Sequence, residues 1–227
     1  MPTFKRADQE QMEKAKDLLE ASPSAEPGFV KSLFFGRVKL DEVLPFPRQD
    51  EAESQRTGEL LSRVDAFLKS EVDADQIDVD EAIPKSVLDG LGRLGVLGMT
   101  VPREYGGGGF SHTAYCRVLE RISAHCASTA VVVGAHQSIG LKALVLMGNG
   151  AQKQRFLPAL ARGETLAAFS LSEPEVGSDA ASVQTEARPS DDGSHWILNG
   201  NKRYATNGAL AGMMTVMART PITENGK

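Results

Sequence analysis

Residues 172 to 185, SEPEVGSDAASVQT, carry the side chains whose types could do chemistry. Acids and short hydroxyls crowd together with one Gly and one Pro, without a regular apolar period, directly after the apolar run TLAAFSL. Short hydroxyls and backbone N–H groups are hydrogen-bond donors without bulk. A Gly-Ser turn can also present N–H groups to a phosphate or pyrophosphate. Such a loop suits a flat ligand with a hydrogen-bonding edge and an anionic tail. By composition alone such a loop is usually just a polar turn.

Three other stretches invite a chemical reading and lose it. YGGGGF, residues 105 to 110, lacks the Lys-Ser or Lys-Thr of a phosphate loop and the preceding strand of a dinucleotide fingerprint. It reads as a flexible interhelical turn, with Ser111 as the cap of the next helix. EVDADQIDVDE, residues 71 to 81, has the acids of a calcium loop but not its turn Gly, and Ile77 takes a ligand position. A solvated acidic connection is expected there. The histidines His112, His125, His136 and His195 show no metal-binding spacing. His136, in the apolar stretch GAHQSIG, is either a core histidine hydrogen-bonded locally or a polar group at the edge of a ligand cavity.

The elements that position these residues fall into two regions. Lys and Arg total 25 against 30 Asp and Glu, a net charge of −5. That balance speaks against a nucleic-acid binder. Cys116 and Cys126 form neither a CxxC nor a disulfide framework, so a reducing compartment is expected. The charged N-terminus has no apolar core of a secretory signal, and its acids disfavour a mitochondrial transit peptide. Up to about residue 165 the pattern is helical: residues 7 to 20, then 50 to 70 with the stripe Leu60, Leu61, Val64, Phe67 and Leu68, then helices opening at Pro84, near His112 and near Ala151. Residues 128 to 148 approach membrane-spanning length, but His136, Gln137 and Lys142 interrupt them. A buried core helix, released from membranes without detergent, is expected. From residue 166 the signals are those of strands: ETLAAFSL, two runs flanking Asn199-Gly200 as a hairpin, and AGMMTVMART. An all-α domain, 1–165, followed by an incomplete β domain, 166–227, makes an α+β multidomain fold.

AFSLSEPEVGSDAASVQTEA resembles the flavoprotein signature of the acyl-CoA dehydrogenase family, in which Thr/Ser-Glu-Pro precedes Gly-Ser-Asp and a later Thr. LGVLGMTVPREYGGGG, MGNGAQKQRFLPALARGE and YATNG are similar to further family segments. FVKSLFFGRVKLDEVLPFP and GAHQSIG are most like the very-long-chain branch and its relative that serves complex I assembly. The resemblance implies a helical domain followed by the start of a β-barrel domain, FAD as cofactor and a fatty acyl-CoA as substrate. It places Phe169, Leu171 and Ser172 along the flavin, with Ser172 where Thr is commoner. Gly177 and Ser178 fall near the pyrophosphate, Ser178 also at the acyl-CoA entrance, and Thr206 near flavin N5. Tyr204 stands where the family has Trp over one face of the ring.

The implied reaction is α,β-dehydrogenation: a carboxylate takes the α-proton while the β-hydrogen leaves as hydride to the flavin. The resemblance also implies an electron-transfer flavoprotein as acceptor, a homo-oligomer, and no metal. The location it implies is the bacterial cytoplasm or the mitochondrial matrix, with peripheral membrane contact. The family's catalytic glutamate belongs to a later helical domain. No acid here matches it, so this stretch is expected to be the N-terminal portion of an enzyme and inactive alone. Two other roles stay open: an assembly or scaffold protein that keeps the helical domain, and a flavin oxidase or monooxygenase on the same fold.

Overall fold

A computed structural model of the protein describes residues 28–221; the helix expected over residues 7 to 20 lies outside them. The chain divides into two units, Met1–Arg48 and Gln49–Lys227. The described part of the first holds helix α1, Phe29–Leu33, and a 3-10 turn, Leu40–Glu42, in which Lys39 and Glu42 pair at 3.2 Å.

The second unit opens with helix α2, Glu51–Glu71. Asp50 caps it by accepting from the Glu53 N–H at 2.7 Å, and Glu51 and Glu53 place negative charge against the positive end of the helix dipole. Leu60, Val64 and Leu68 recur every fourth residue and are buried. Their stripe packs on helix α5, His112–His125, which presents Tyr115, Val118 and Ile122 and is capped by Ser111 as expected. Between them lie α3, Ala74–Asp80, and α4, Lys85–Arg93. Helix α3 corrects the expected acidic connection: Asp73 caps it by accepting from Gln76 N–H, and Ile77 is buried in the core. The glycine run also differs from a free turn. Gly108, Gly109 and Phe110 donate backbone hydrogen bonds to Gly98, Val101 and Met99, and a Cβ on Gly107 would strike Val101.

Residues 127 to 147 form a helical stretch long and apolar enough to cross a membrane. It consists of α6, Ala127–Gly134, a π-helical turn, Ala135–Gly140, and α7, Lys142–Met147. Burial concentrates at its centre: His136, Gln137, Gly140 and Leu141 are inside, whereas Leu146 and Met147 are exposed. The π turn inserts a residue into the helical register. Ala135, His136 and Gln137 are therefore buried in succession. Helix α8, Gly150–Arg162, has a capping box of Asn149 with Gln152 and ends at Gly163 with φ 72°, as its sequence predicts.

The β region begins with β1, Leu166–Ser170, which lies against the π turn. A Cβ on Gly140 would come within 2.8 Å of Ala167, so only glycine permits this approach. Strand β1 pairs in parallel with β4, Ala211–Val216, while β2, Glu186–Pro189, pairs antiparallel with β3, Trp196–Asn199. The helical domain is thus followed by the start of a β domain, with two two-stranded sheets and no closed barrel among the described residues. Asn199-Gly200 does not make the expected hairpin. The reversal lies at residues 190 to 195, where Gly193 has φ 68° and the Asp192 carboxylate accepts from Ser190 and Ser194. Gly200 instead packs on Thr185, where a Cβ would collide.

Candidate functional site

Two sequence-distant segments meet at the end of β1. The Arg203 N–H donates to the Ser172 carbonyl at 2.8 Å, and Lys202 Nζ donates to the Leu171 carbonyl at 2.8 Å. The Met217 N–H donates to the Ser170 carbonyl at 3.0 Å from the other side. Leu171 and Ser172 are thus bracketed by residues 202–203 and the end of β4. Phe169, half-buried, is in register with Thr215.

Glu173 sits beneath this junction with 4 % of its side chain exposed. Its carboxylate accepts from the Gln184 N–H at 2.7 Å, the Thr185 N–H at 2.8 Å, the Thr185 hydroxyl at 2.5 Å and Lys202 Nζ at 2.8 Å. Lys202 first, then Thr185 and the backbone donors, hold its carboxyl down at about 2. Oε1 accepts three of these bonds and Oε2 the fourth, so the carboxylate is committed to organising the loop.

Thr206 lies between two residues with left-handed backbones, Tyr204 at φ 57° and Asn207 at φ 66°. Non-glycine residues hold that conformation only where neighbours over-determine it. Here the Asn207 side chain does so, donating from Nδ2 to the Val132 carbonyl at 3.0 Å and the Ala167 carbonyl at 3.3 Å. Asn207 Oδ1 is buried without a partner among the described residues. The turn closes one side of a cleft of about 650 Å³ lined by Ile77, Ile83, Val131, Val132, Thr206 and Leu210.

The seven residues singled out from the sequence thus fall in three places. Phe169, Leu171 and Ser172 lie at the end of β1, and Tyr204, 88 % exposed, follows Arg203, which is bonded there. Thr206 stands on the adjoining turn. Gly177 and Ser178 lie on an exposed loop beyond the tight turn in which Glu173 and Val176 exchange backbone hydrogen bonds. A Cβ on Gly177 would meet nothing within 4 Å, so no close approach inside this chain requires glycine there.

Sequence reasoning singled out His136 but not the partners it holds. It is a core histidine, but its partners are distant rather than local. Nε2 lies 3.1 Å from the Leu97 carbonyl and 3.2 Å from the Leu160 carbonyl, while Nδ1 accepts from the Ala167 N–H at 2.9 Å. Gln137 Nε2 likewise donates to the Val96 carbonyl, and its Oε1 accepts from Thr100. A polar pair inside an otherwise apolar helix was the available signal.

Burial pushes the His136 imidazole down to about 4, against a smaller upward pull from the Leu160 and Leu97 carbonyls. The folded state therefore resists protonation. Stability is full above the unfolded value near 6.5 and falls as pH drops from 6.5 towards 4, by about 3 kcal/mol in all. Urea midpoints at pH 7 and pH 5 should show this loss, and His136→Asn should flatten it. Equal slopes in the two proteins would contradict the assignment.

Comparison with known proteins adds three findings. The family model "Acyl-CoA dehydrogenase, N-terminal domain" matches residues 54–164, and "Acyl-CoA dehydrogenase, middle domain" matches residues 168–227. The chain is 42 % identical over 197 residues to the mitochondrial very long-chain specific acyl-CoA dehydrogenase of Macaca fascicularis, covering 86 % of this chain and 30 % of that one. It is also 42 % identical over 216 residues to the probable acyl-CoA dehydrogenase FadE10 of Mycobacterium tuberculosis, covering 93 % and 33 %. It superposes with a TM-score of 0.67 and 34 % identity on the acyl-CoA dehydrogenase of Bacillus anthracis complexed with FAD, over 83 % of this chain and 33 % of that one. The chain spans about a third of the length of the curated relatives it matches.

Proposed function

The chain belongs to the acyl-CoA dehydrogenase family, and on that premise we propose that it supplies the helical domain, residues 1–165, and the opening of the β domain, residues 166–227, of an FAD-dependent dehydrogenase acting on the Cα–Cβ bond of long-chain fatty acyl-CoA. One observation carries this reading. The Ser172 carbonyl bonded to the Arg203 N–H joins the two segments that would face the flavin.

The donor set fits that group. The Ser172 and Thr206 hydroxyls have no partner among the described residues, and the Tyr204 ring is open to stacking. Phe169 and Leu171 would flank the ring, Ser172 and Thr206 would donate to its polar atoms, and Gly177 and Ser178 would meet the pyrophosphate and the acyl-CoA. FAD, when bound, supplies the two-electron acceptor. The chain's own part is to orient that acceptor and to hold donors where negative charge develops on it. Glu173 is committed to Lys202 and is not proposed as the base that takes the α-proton; that role is assigned to a carboxylate outside these residues. An electron-transfer flavoprotein is the proposed acceptor in a homo-oligomeric enzyme. A bacterial cytoplasm or mitochondrial matrix, with peripheral membrane contact, is the proposed location.

Thr206→Ala tests the assignment. Losing one donor to a buried partner costs about 1–3 kcal/mol, so reduction by palmitoyl-CoA should slow by roughly ten- to a hundredfold in the full-length protein. Unchanged reduction together with unchanged FAD affinity would sink it.

A further inference from the structure

We propose that His136 and Asn207 are positioning residues which together hold the N–H and the carbonyl of Ala167 and thereby set where Thr206 and the end of β1 stand. This rests on the reading of the site as a flavin site. The Ala167 N–H donates to His136 Nδ1 at 2.9 Å, and the Ala167 carbonyl accepts from Asn207 Nδ2 at 3.3 Å. The same Nδ2 donates to the Val132 carbonyl at 3.0 Å. Val132 and His136 lie four residues apart on one helical stretch, so helix, strand and turn form a closed ring of hydrogen bonds.

The tautomer is set by the surroundings. Nε2 faces two carbonyls, of Leu97 and Leu160, and must carry the proton, which leaves Nδ1 as the acceptor. A histidine that merely filled the core would have no need to orient a strand N–H. This one ties α8, the 3-10 turn Val96–Gly98 and β1 to a single ring. At the far side, Asn207 holds a left-handed backbone directly beside Thr206. Moving Ala167 therefore moves both Thr206, through Asn207, and Ser172, five residues along the same chain.

Two substitutions separate positioning from packing. The amide of Asn overlays the imidazole at Nδ1, and that of Gln overlays it at Nε2. His136→Asn keeps the acceptor for Ala167 and loses the donor to Leu97 and Leu160; His136→Gln does the reverse. Both should lower the melting temperature. FAD affinity of the full-length protein, from quenching of flavin fluorescence, should weaken about tenfold in His136→Gln, as expected for one misplaced hydrogen bond, and stay within about twofold of wild type in His136→Asn. The visible absorption envelope of the bound flavin should shift in the first variant only.

If His136→Gln does not fold, Asn207→Ala reads the same ring from its other end, and about tenfold weaker FAD binding supports the proposal. Asn207→Ala binding FAD as wild type does would overturn it. So would His136→Gln and His136→Asn weakening FAD in proportion to their losses of melting temperature. A wild-type protein that binds no FAD removes the flavin reading itself, and this inference with it.

Discussion

Glu173→Ala is expected to lower the melting temperature by roughly 10 °C, the largest effect of any single substitution in the β region. The substitution leaves Lys202, whose side chain is 13 % exposed, without its counter-charge, and strips the N–H groups of Gln184 and Thr185 of their acceptor. Glu173→Gln should rescue little. All four partners are donors, and an amide offers one oxygen and adds two N–H groups of its own. Adding Lys202→Met to Glu173→Ala should recover part of the loss, because removing both charges is cheaper than stranding one. The pH dependence has a definite sign. The folded carboxyl is held near 2, below its ordinary 4.5. Its contribution is therefore present above pH 4.5 and disappears as pH falls from 4.5 to 2. Acid unfolding of Glu173→Ala should lack that component. A wild-type midpoint in the variant would show that the loop is held by other means.

Residues 1–227 alone are expected to give no measurable turnover of palmitoyl-CoA with an artificial electron acceptor. A general base works best with a pKa near the working pH and contributes about 10²–10⁴-fold. The one acid buried at the proposed site is Glu173, which is far too acidic and is occupied by four donors. FAD bound without turnover would agree with this account. Turnover near the rate of full-length relatives would mean that another carboxylate of this chain acts as the base.

Much of this was legible before any coordinates. Leu60, Val64 and Leu68 repeat every fourth residue, Ser111 and Gly163 bound their helices, and the apolar run before Ser172 is strand β1. Each is a local signal, in which period, cap and burial agree. The resemblance at SEPEVGSD and YATNG likewise supplied the proposed site residues without a fold. Misreadings arose where a local preference met a distant partner. Asn199-Gly200 has the dipeptide of a tight hairpin, yet Thr185 occupies the space that makes glycine necessary there. The acids of residues 71 to 81 suggested a solvated loop, yet Asp73 caps a helix that Ile77 anchors in the core.

By itself, then, the sequence determined the family, the change from helices to strands near residue 165 and most of the helices, because these depend on neighbours within a few positions. Only the tertiary structure decided what the polar residues at the proposed site do for one another. Glu173 meets Lys202 across 29 positions, and His136 meets Leu97, Leu160 and Ala167 across 39, 24 and 31. No local period records such pairings. They exist because buried polar groups must find partners, and which partners lie in reach is set by how β1 lies against the π turn.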